Sequence, residues 1–127
     1  MGAALNEATK ENFRDLVAEG LSMVDVWGPS CQPCFALMPH FERLAEAHPE
    51  VTAMKLEAPK ARRLCMELRL LGLPVFLVFK DGAEVARLDG SDISPEKLES
   101  WLEDSLKQAG EEVSEKGVQG QEGAGPG

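Results

Sequence analysis

Cys31-Gln32-Pro33-Cys34 sets two thiols two residues apart, with a proline between them. Apolar side chains with helical spacing follow at once, and this spacing predicts an amphipathic helix with Phe35, Leu37, Met38, Phe41, Leu44 and Ala45 on its inner face. A helix N-terminus carries unpaired N–H groups and about half a positive charge, so it favours the thiolate form of Cys31. Cys34 is expected one turn further in, more buried and close enough to form a disulfide. The stretch therefore predicts a dithiol that cycles between two redox states.

The composition is that of one small acidic domain. The chain has 127 residues, of which 43% are hydrophobic, enough for a core. Its formal net charge of -9 argues against nucleic acid and anionic membranes as partners. We recognise neither a signal peptide nor a run of the roughly 18 apolar residues that span a membrane. Three cysteines, two of them in one pair, fit a redox or metal site in the cytoplasm better than a secreted disulfide framework.

Periodicity and turn signals predict alternating strands and helices. Four strands can be located, over residues 23–27, 51–56, 75–79 and 84–88. Helices are predicted after Thr9, from the cysteine pair to about residue 48, over residues 61–71 and from Ser94. Asp81-Gly82 is a strong hairpin signal between the last two strands. The predicted order is β-α-β-α-β-α-β-β-α, an α/β class in which a parallel half joins an antiparallel hairpin and helices cover both faces.

The helix predicted over residues 61–71 contains the third cysteine. Its expected inner residues are Leu64, Met66, Leu68 and Leu71. We interpret Cys65 as a core residue of the same helix, because a free cysteine packs as a small hydrophobe. Regulatory oxidation of Cys65 is the alternative.

The last part of the chain differs in composition from the rest. From about Gly110 onward, Val113 and Val118 are the only aliphatic residues beyond alanine, and Gly, Gln and Glu dominate. Such a segment cannot bury enough apolar surface to offset the entropy cost of ordering it. The sequence therefore predicts a domain over residues 1–109 and a disordered tail over residues 110–127.

The order of elements and the motifs together resemble the thioredoxin family. Cys31 matches the nucleophilic cysteine of that family, Cys34 the resolving cysteine, and Pro33 the proline between them. Asp25 matches a buried aspartate of the family, and Trp27 matches the tryptophan four residues before the nucleophile. The resemblance implies the thioredoxin fold, with a central mixed five-stranded sheet, and a redox-active disulfide between the two cysteines.

The resemblance covers roughly residues 5–106 and reaches further positions. Lys55 matches a lysine that neighbours the buried aspartate, and Gly90 matches a glycine that follows the hairpin. Pro74 matches a cis-proline that faces the disulfide. In that conformation the backbone of Leu73 would be free to pair with an extended substrate, and we therefore expect Leu73, Pro74 and Gly90 to bind substrate.

The motif also departs from the usual Trp-Cys-Gly-Pro-Cys-Lys of thioredoxins. Gln32 replaces the glycine, and Ser30 and Phe35 replace a tryptophan and a lysine that contact reductase and substrates. Strong oxidants of this superfamily carry histidine at the position of Pro33, so the proline favours the interpretation of this protein as a reductant. The residues on either side of the motif resemble thioredoxins of anaerobic bacteria.

The resemblance implies a thiol-disulfide oxidoreductase that acts as a general electron donor, reducing protein disulfides through the Cys31–Cys34 pair. The chain contains no GxGxxG fingerprint, so its electrons are expected from a separate thioredoxin reductase. Expected partners are that reductase and protein disulfides, for a cytoplasmic monomer without a cofactor. Two alternatives stay open: a disulfide oxidant or isomerase on the same fold, and a non-catalytic binding module that uses the surface between Cys31 and Pro74.

Some of these residues have simpler interpretations. Burial would raise the pKa of Asp25, which could then accept the proton of Cys34. Lys55 would tune the pKa of Asp25. The alternative is that Asp25 is an ordinary solvated aspartate at the end of a strand. Trp27 either shields the disulfide from water or is an ordinary core tryptophan. Pro74 could be a trans proline at a strand start.

A structural zinc site is the alternative for the thiols themselves. Zinc takes about four ligands. Beyond the cysteine pair, the chain offers only Cys65, His40 and His48 as soft ligands, and it has no second pair of cysteines. We therefore expect no metal.

Overall fold

The computed structural model describes residues 5–118, the last eight by their backbone alone. The strands are β1 (Asn6–Ala8), β2 (Leu21–Trp27), β3 (Thr52–Glu57), β4 (Val75–Lys80) and β5 (Ala83–Asp89). The α-helices are α1 (Phe13–Leu16), α2 (Gln32–Ala47), α3 (Arg62–Glu67) and α4 (Pro95–Val118), and a 3-10 turn covers Ala58–Lys60. Strands and α-helices follow one another in the predicted order.

The five strands form one mixed sheet in the order β1-β3-β2-β4-β5. β1 and β2 both pair with β3 in parallel. β4 pairs antiparallel with both β2 and β5. The predicted hairpin turn joins β4 to β5 at Asp81 and Gly82, which have φ angles of 50° and 87°. This arrangement confirms the parallel half and the hairpin, and it makes β2, which leads into the cysteine pair, the central strand.

The sheet divides the core into two layers. Because successive side chains of a strand point to opposite faces, Val24 and Val26 of β2 join a cluster with residues of α1 and α3. Met23 joins the other cluster, which is formed with α2 and α4. Each layer contains fully buried phenylalanines, among them Phe13 in the first and Phe41 in the second. Burial of one such side chain stabilises the fold by about 1.5–3 kcal/mol. By the same alternation, Asp25 faces the layer of α2.

The helix predicted over residues 61–71 is shorter than expected. α3 ends at Glu67, and Arg69 has a left-handed φ of 59°, which an α-helix cannot continue through. Leu64 and Leu68 are buried as predicted, but Met66 is 75% exposed and Leu71 is 98% exposed. The prediction that Met66 and Leu71 face the core is therefore wrong, because Leu71 lies beyond the helix and Met66 lies on its outer side.

α4 runs past the predicted domain boundary. Ser94 precedes it, and the Oγ of Ser94 accepts the N–H of Lys97 at 3.0 Å. The helical backbone continues to Val118, eight residues beyond Gly110. This stretch lacks proline and contains Glu and Lys, which favour helix locally even where little apolar surface can be buried. Residues 119–127 of the predicted tail lie outside the described residues. Neither α4 nor any other helix within residues 5–118 combines the length and the apolarity needed to cross a membrane.

Candidate active site

α2 begins at the cysteine pair. Cys31 is the N-cap residue, with an extended backbone, and its Sγ accepts the backbone N–H of Cys34 at 3.2 Å. Pro33 lies in the first turn, where its missing N–H costs no helical hydrogen bond. A disulfide joins Cys31 and Cys34, whose Cα atoms lie 5.3 Å apart. The helix start predicted at the pair is confirmed.

The two cysteines differ in their access to solvent. Cys34 is fully buried, because it belongs to the stripe of α2 that packs on the sheet and also contains Leu37, Phe41 and Leu44. Cys31 is half-buried, and Gln32 beside it is exposed. A group that approaches from solvent therefore meets Cys31 first.

Asp25 is a fully buried carboxyl group on the sheet face that α2 covers. Neither of its oxygens has a hydrogen-bond partner among the described residues. Burial raises the pKa of Asp25 to about 7. The charge of Lys55 lowers this pKa in part, and the charge of Glu42 raises it by a smaller amount. Lys55 is half-buried and pairs with Asp25 in the register of β2 and β3. The solvated alternative for Asp25 is therefore wrong, and near neutral pH the group can take up or release a proton.

Trp27 ends β2 beside the start of α2. Its ring meets that of Phe35 edge-on, with centroids 5.7 Å apart and planes at 66°. Phe35 is 48% exposed, so its predicted place on the inner face of the helix is wrong. It lies one position after Cys34 and is thereby turned about 100° away from the buried stripe. The half-buried Trp27 has its Nε1 enclosed without a hydrogen-bond partner in residues 5–118.

A groove of about 610 Å³ opens beside the disulfide. It is lined by residues 28–33 and by Pro59, Leu73 and Ser91, none of which carries a charge. The Leu73–Pro74 peptide bond is cis, so the trans alternative for Pro74 is wrong. Gly28 lets Leu73 approach closely, because a Cβ at Gly28 would lie 3.0 Å from the Cδ1 of Leu73.

The sequence did not predict that Pro59 and Ser91 line this groove, and Gly90, which was expected to bind substrate, lies outside its lining. Pro59 and Ser91 come from the 3-10 turn and from the loop after β5, and neither has a local signal that links it to the cysteines. Gly90 precedes Ser91 and does not itself line the groove. Its φ of 126° is one that glycine adopts readily, and a Cβ there would lie 3.2 Å from the Oδ1 of Asp92.

The third cysteine lies away from this groove. Cys65 on α3 packs, half-buried, against the layer formed with α1. Burial raises the pKa of its thiol. This supports the interpretation of Cys65 as a core residue. Within residues 5–118, no group of three or more His, Cys, Asp or Glu side chains is arranged to hold a metal ion.

Comparisons with known proteins agree with this geometry. The family model for thioredoxin matches residues 4–104. The chain is 34% identical over 99 residues to a thioredoxin of Acetoanaerobium sticklandii, covering 76% of this chain and 94% of that protein. It is 35% identical over 105 residues to a thioredoxin of Peptoclostridium acidaminophilum, covering 80% and 96%. The crystal structure of oxidized mitochondrial thioredoxin 3 from Saccharomyces cerevisiae matches with a TM-score of 0.70 at 25% identity, covering 79% of this chain and 94% of that chain. Together with the disulfide at the start of α2, these matches show that the chain belongs to the thioredoxin family and reduces protein disulfides through a dithiol–disulfide pair.

Proposed function

We propose that Cys31 is the nucleophile of this reductase and Cys34 the resolving cysteine. The observation that carries the assignment is the difference in access: Cys31 is half-exposed at the N-cap, whereas Cys34 is fully buried one turn later. The N–H of Cys34 that points to the Sγ of Cys31 also supports it. In the reduced protein this N–H and the positive end of the α2 dipole would stabilise a thiolate on Cys31. Gln32 and Pro33 are proposed to form the first turn that presents this end of the helix to Cys31.

The proposed cycle balances in electrons and protons. The thiolate of Cys31 attacks one sulfur of a substrate disulfide, forms a mixed disulfide and releases the first substrate thiolate. Cys34 then gives its proton to the carboxylate of Asp25, and the resulting thiolate attacks the Sγ of Cys31. This attack releases the second substrate thiolate. The substrate gains two electrons, and the protein is left with the Cys31–Cys34 disulfide and a protonated Asp25. The cycle closes when Asp25 loses its proton to solvent and a reductase returns two electrons to the disulfide.

Asp25 suits the role of proton acceptor because of its environment. A buried carboxyl group whose pKa is raised to about 7 is divided between its two protonation states near neutral pH. An acceptor is most effective when its pKa lies near the working pH. Lys55 tunes this value, since its charge lowers the pKa of Asp25 against the effect of burial.

An extended substrate segment is proposed to lie in the groove and to pair with the backbone of Leu73, next to Pro74, as an added strand. No backbone hydrogen bond within residues 5–118 uses Leu73, so both of its polar groups are available. The groove beside it has an uncharged lining, which suits an apolar segment. Trp27 is proposed to keep water from the disulfide, and Gly90 to act on substrate binding through its neighbour Ser91, which lines the groove.

A thioredoxin reductase is the proposed source of electrons, and the cytoplasm the proposed location, for a protein that works as a monomer. Family membership supports the first of these, because thioredoxins typically receive electrons from such a reductase. The acidic composition, with 22 Asp and Glu against 13 Lys and Arg, supports a freely diffusing donor.

Trapping of the mixed disulfide tests the assignment of the two cysteines. Cys34→Ser should accumulate a covalent complex with a substrate such as insulin, because nothing resolves it, whereas Cys31→Ser should accumulate none. Both variants are made with Cys65→Ser, so that the third thiol cannot form complexes of its own. Complexes that form equally with either variant, or only with Cys31→Ser, would reverse or remove the proposed roles.

A further inference from the structure

Arg87 of β5 ties together two parts of the molecule that are far apart in sequence. Its Nε and Nη2 donate to the two carboxylate oxygens of Glu84, at 2.7 and 2.8 Å. Its Nη1 donates to the backbone oxygen of Arg69 at 2.9 Å, and its Nη2 to that of Leu68 at 2.6 Å. The guanidinium group therefore bridges the hairpin to the chain that leaves α3.

These two carbonyl groups stand where the chain enters the loop before Pro74. Leu70 makes the last backbone hydrogen bond of this region, from its N–H to the oxygen of Cys65. Residues 71–73 make no backbone hydrogen bond within the described chain, and Leu71 is 98% exposed. Among residues 5–118, no backbone hydrogen bond therefore holds residues 71–73, and within this stretch only the side chain of Leu73 packs on the core layer of α1 and α3.

Arg87 holds the near end of this loop, and the sheet holds the far end. β4 begins at Val75, directly after Pro74, and Arg87 is the register partner of Leu77 in that strand. At the near end Arg69 has a left-handed φ of 59°, a conformation that non-glycine residues adopt at a cost. The charged hydrogen bond to its carbonyl helps to offset that cost, since hydrogen bonds from an ionised donor are the stronger ones.

We propose that Arg87 is a positioning residue for substrate binding: by holding the carbonyls of Leu68 and Arg69, it fixes the loop over residues 70–73 and thereby the backbone of Leu73. The inference rests on the proposed pairing of substrate with Leu73. A loop that is ordered in advance loses less conformational freedom when a substrate strand adds to it, which favours binding. Arg87 does not touch the cysteines, so the chemistry of the disulfide exchange itself is left unchanged.

Steady-state kinetics with three disulfides test this role. The first is a peptide disulfide with extended flanks, the second is the same peptide with N-methylated amides beside its cysteine, and the third is hydroxyethyl disulfide, which has no peptide backbone. Arg87→Met should lower kcat/KM for the first peptide by about ten-fold, through KM, because charged hydrogen bonds of this kind are lost. Its rate with hydroxyethyl disulfide should equal that of the wild type. Arg87→Lys keeps the charge but cannot make the paired hydrogen bonds of the guanidinium group. Its kcat/KM for the first peptide should therefore fall between those of the wild type and Arg87→Met.

Arg63→Met is the matched control, because Arg63 is an exposed arginine of α3 whose side chain has no partner in the described part of the chain. It should behave as the wild type with all three substrates. An equal loss with the peptide and with hydroxyethyl disulfide would overturn the inference, since it would indicate a general structural role. Should Arg87→Met fail to fold, Arg87→Lys and Glu84→Gln carry the same comparison.

The N-methylated peptide separates this inference from the proposed function. If the wild type reduces both peptides equally, strand pairing at Leu73 is wrong and the role of Arg87 falls with it. If the wild type prefers the unmodified peptide and Arg87→Met keeps both that preference and its efficiency, the pairing stands and only the role of Arg87 is overturned.

Discussion

Asp25 and Lys55 occupy paired positions on the parallel strands β2 and β3, yet among the described residues no hydrogen bond or ion pair joins them. The carboxyl group is fully buried and the lysine is half-buried. The charge of Lys55 lowers the pKa of Asp25, but burial raises it by more, and the result is about 7. The site thus contains a carboxyl group that titrates near neutral pH because the charge of Lys55 offsets only part of the effect of burial.

Asp25→Asn should stabilise the oxidised protein at alkaline pH. The pKa of Asp25 rises from an ordinary 3.8 to about 7 on folding. Below pH 3.8 both states hold the proton, so Asp25 adds no pH dependence to stability. As pH rises towards 7 the unfolded chain releases a proton that the folded protein keeps, so wild-type stability falls. A difference of about 3 between the two values corresponds to about 4 kcal/mol. We expect urea denaturation to show a gain of up to this size at about pH 8 and little gain near pH 4.

The control for this measurement is Asp104→Asn, a change of the same kind at an exposed aspartate of α4. It should shift stability by no more than about 0.5 kcal/mol at either pH. A gain for Asp25→Asn that is the same at both pH values would contradict the titration and indicate a change in packing instead.

Variants of the two charges near Asp25 should move the pH dependence of the second step in opposite directions. Release of substrate from the mixed disulfide should speed up with a midpoint near pH 7, where Asp25 becomes a carboxylate. Lys55→Met removes a charge that lowers the pKa of Asp25 and should move the midpoint up, whereas Glu42→Gln removes a charge that raises it and should move the midpoint down. Single-turnover rates measured across pH decide. Shifts in the same direction, or none, would remove Lys55 from its proposed tuning role.

Short-range patterns predicted the elements around the cysteines but not the path of α3. The strand before the pair and the helix after it carry dense apolar periodicity, so their positions and the burial of Cys34 could be derived locally. Arg69 ends α3 in a left-handed conformation, and its carbonyl is held by Arg87, eighteen residues later. Nothing in the local sequence signals this contact, so the apolar Leu71 is expected to continue a helix that has already ended. Met66 lies within α3, but it is two residues from Leu64 and therefore on the opposite side of the helix.

Contacts between residues distant in sequence also determine the positions of Pro59 and Ser91 in the groove and of β1 at the edge of the sheet, which the local sequence did not predict. Pro59 and Ser91 line the groove because β3 and β5 run in the same direction and end at the same edge of the sheet. β1 is three residues long, too short for a period of two to show, and its position depends on pairing with β3. The family resemblance, by contrast, predicted roles for Asp25, Lys55 and Pro74, since it carries tertiary information that periodicity lacks.

Deletion of residues 111–127 should leave the fold and the dithiol chemistry intact. The last side chain of α4 that is seen buried is Ala109, after Leu106. The deleted segment has few apolar residues and an excess of acidic ones, so it has little with which to dock. We expect insulin reduction at the full-length rate and a melting temperature within about 2 °C. A large fall in melting temperature would mean that the helix beyond residue 110 packs on the domain.

Phe35 and Ser30 should set which reductase this protein accepts. Phe35 is 48% exposed, rests edge-on against Trp27, and stands where thioredoxins usually have lysine. Ser30, also exposed, replaces a tryptophan. Loss of a tryptophan from an interface can cost about 2 kcal/mol, which is about a thirty-fold loss of affinity. We therefore expect poor reduction by an NADPH-dependent thioredoxin reductase from an unrelated bacterium, and a gain of about ten-fold or more in kcat/KM for the double variant Ser30→Trp with Phe35→Lys.

Val85→Lys is the control for the added charge, because Val85 on β5 is 44% exposed, close to the exposure of Phe35. It should leave reduction by the foreign reductase as poor as in the wild type, since it adds the same lysine without changing the motif. A wild-type efficiency equal to that of the reductase's own thioredoxin would show that Ser30 and Phe35 are neutral in recognition. An equal gain in Val85→Lys and in the double variant would assign the effect to net charge, and the contact surface around Trp27 would then play no part in the choice of reductase.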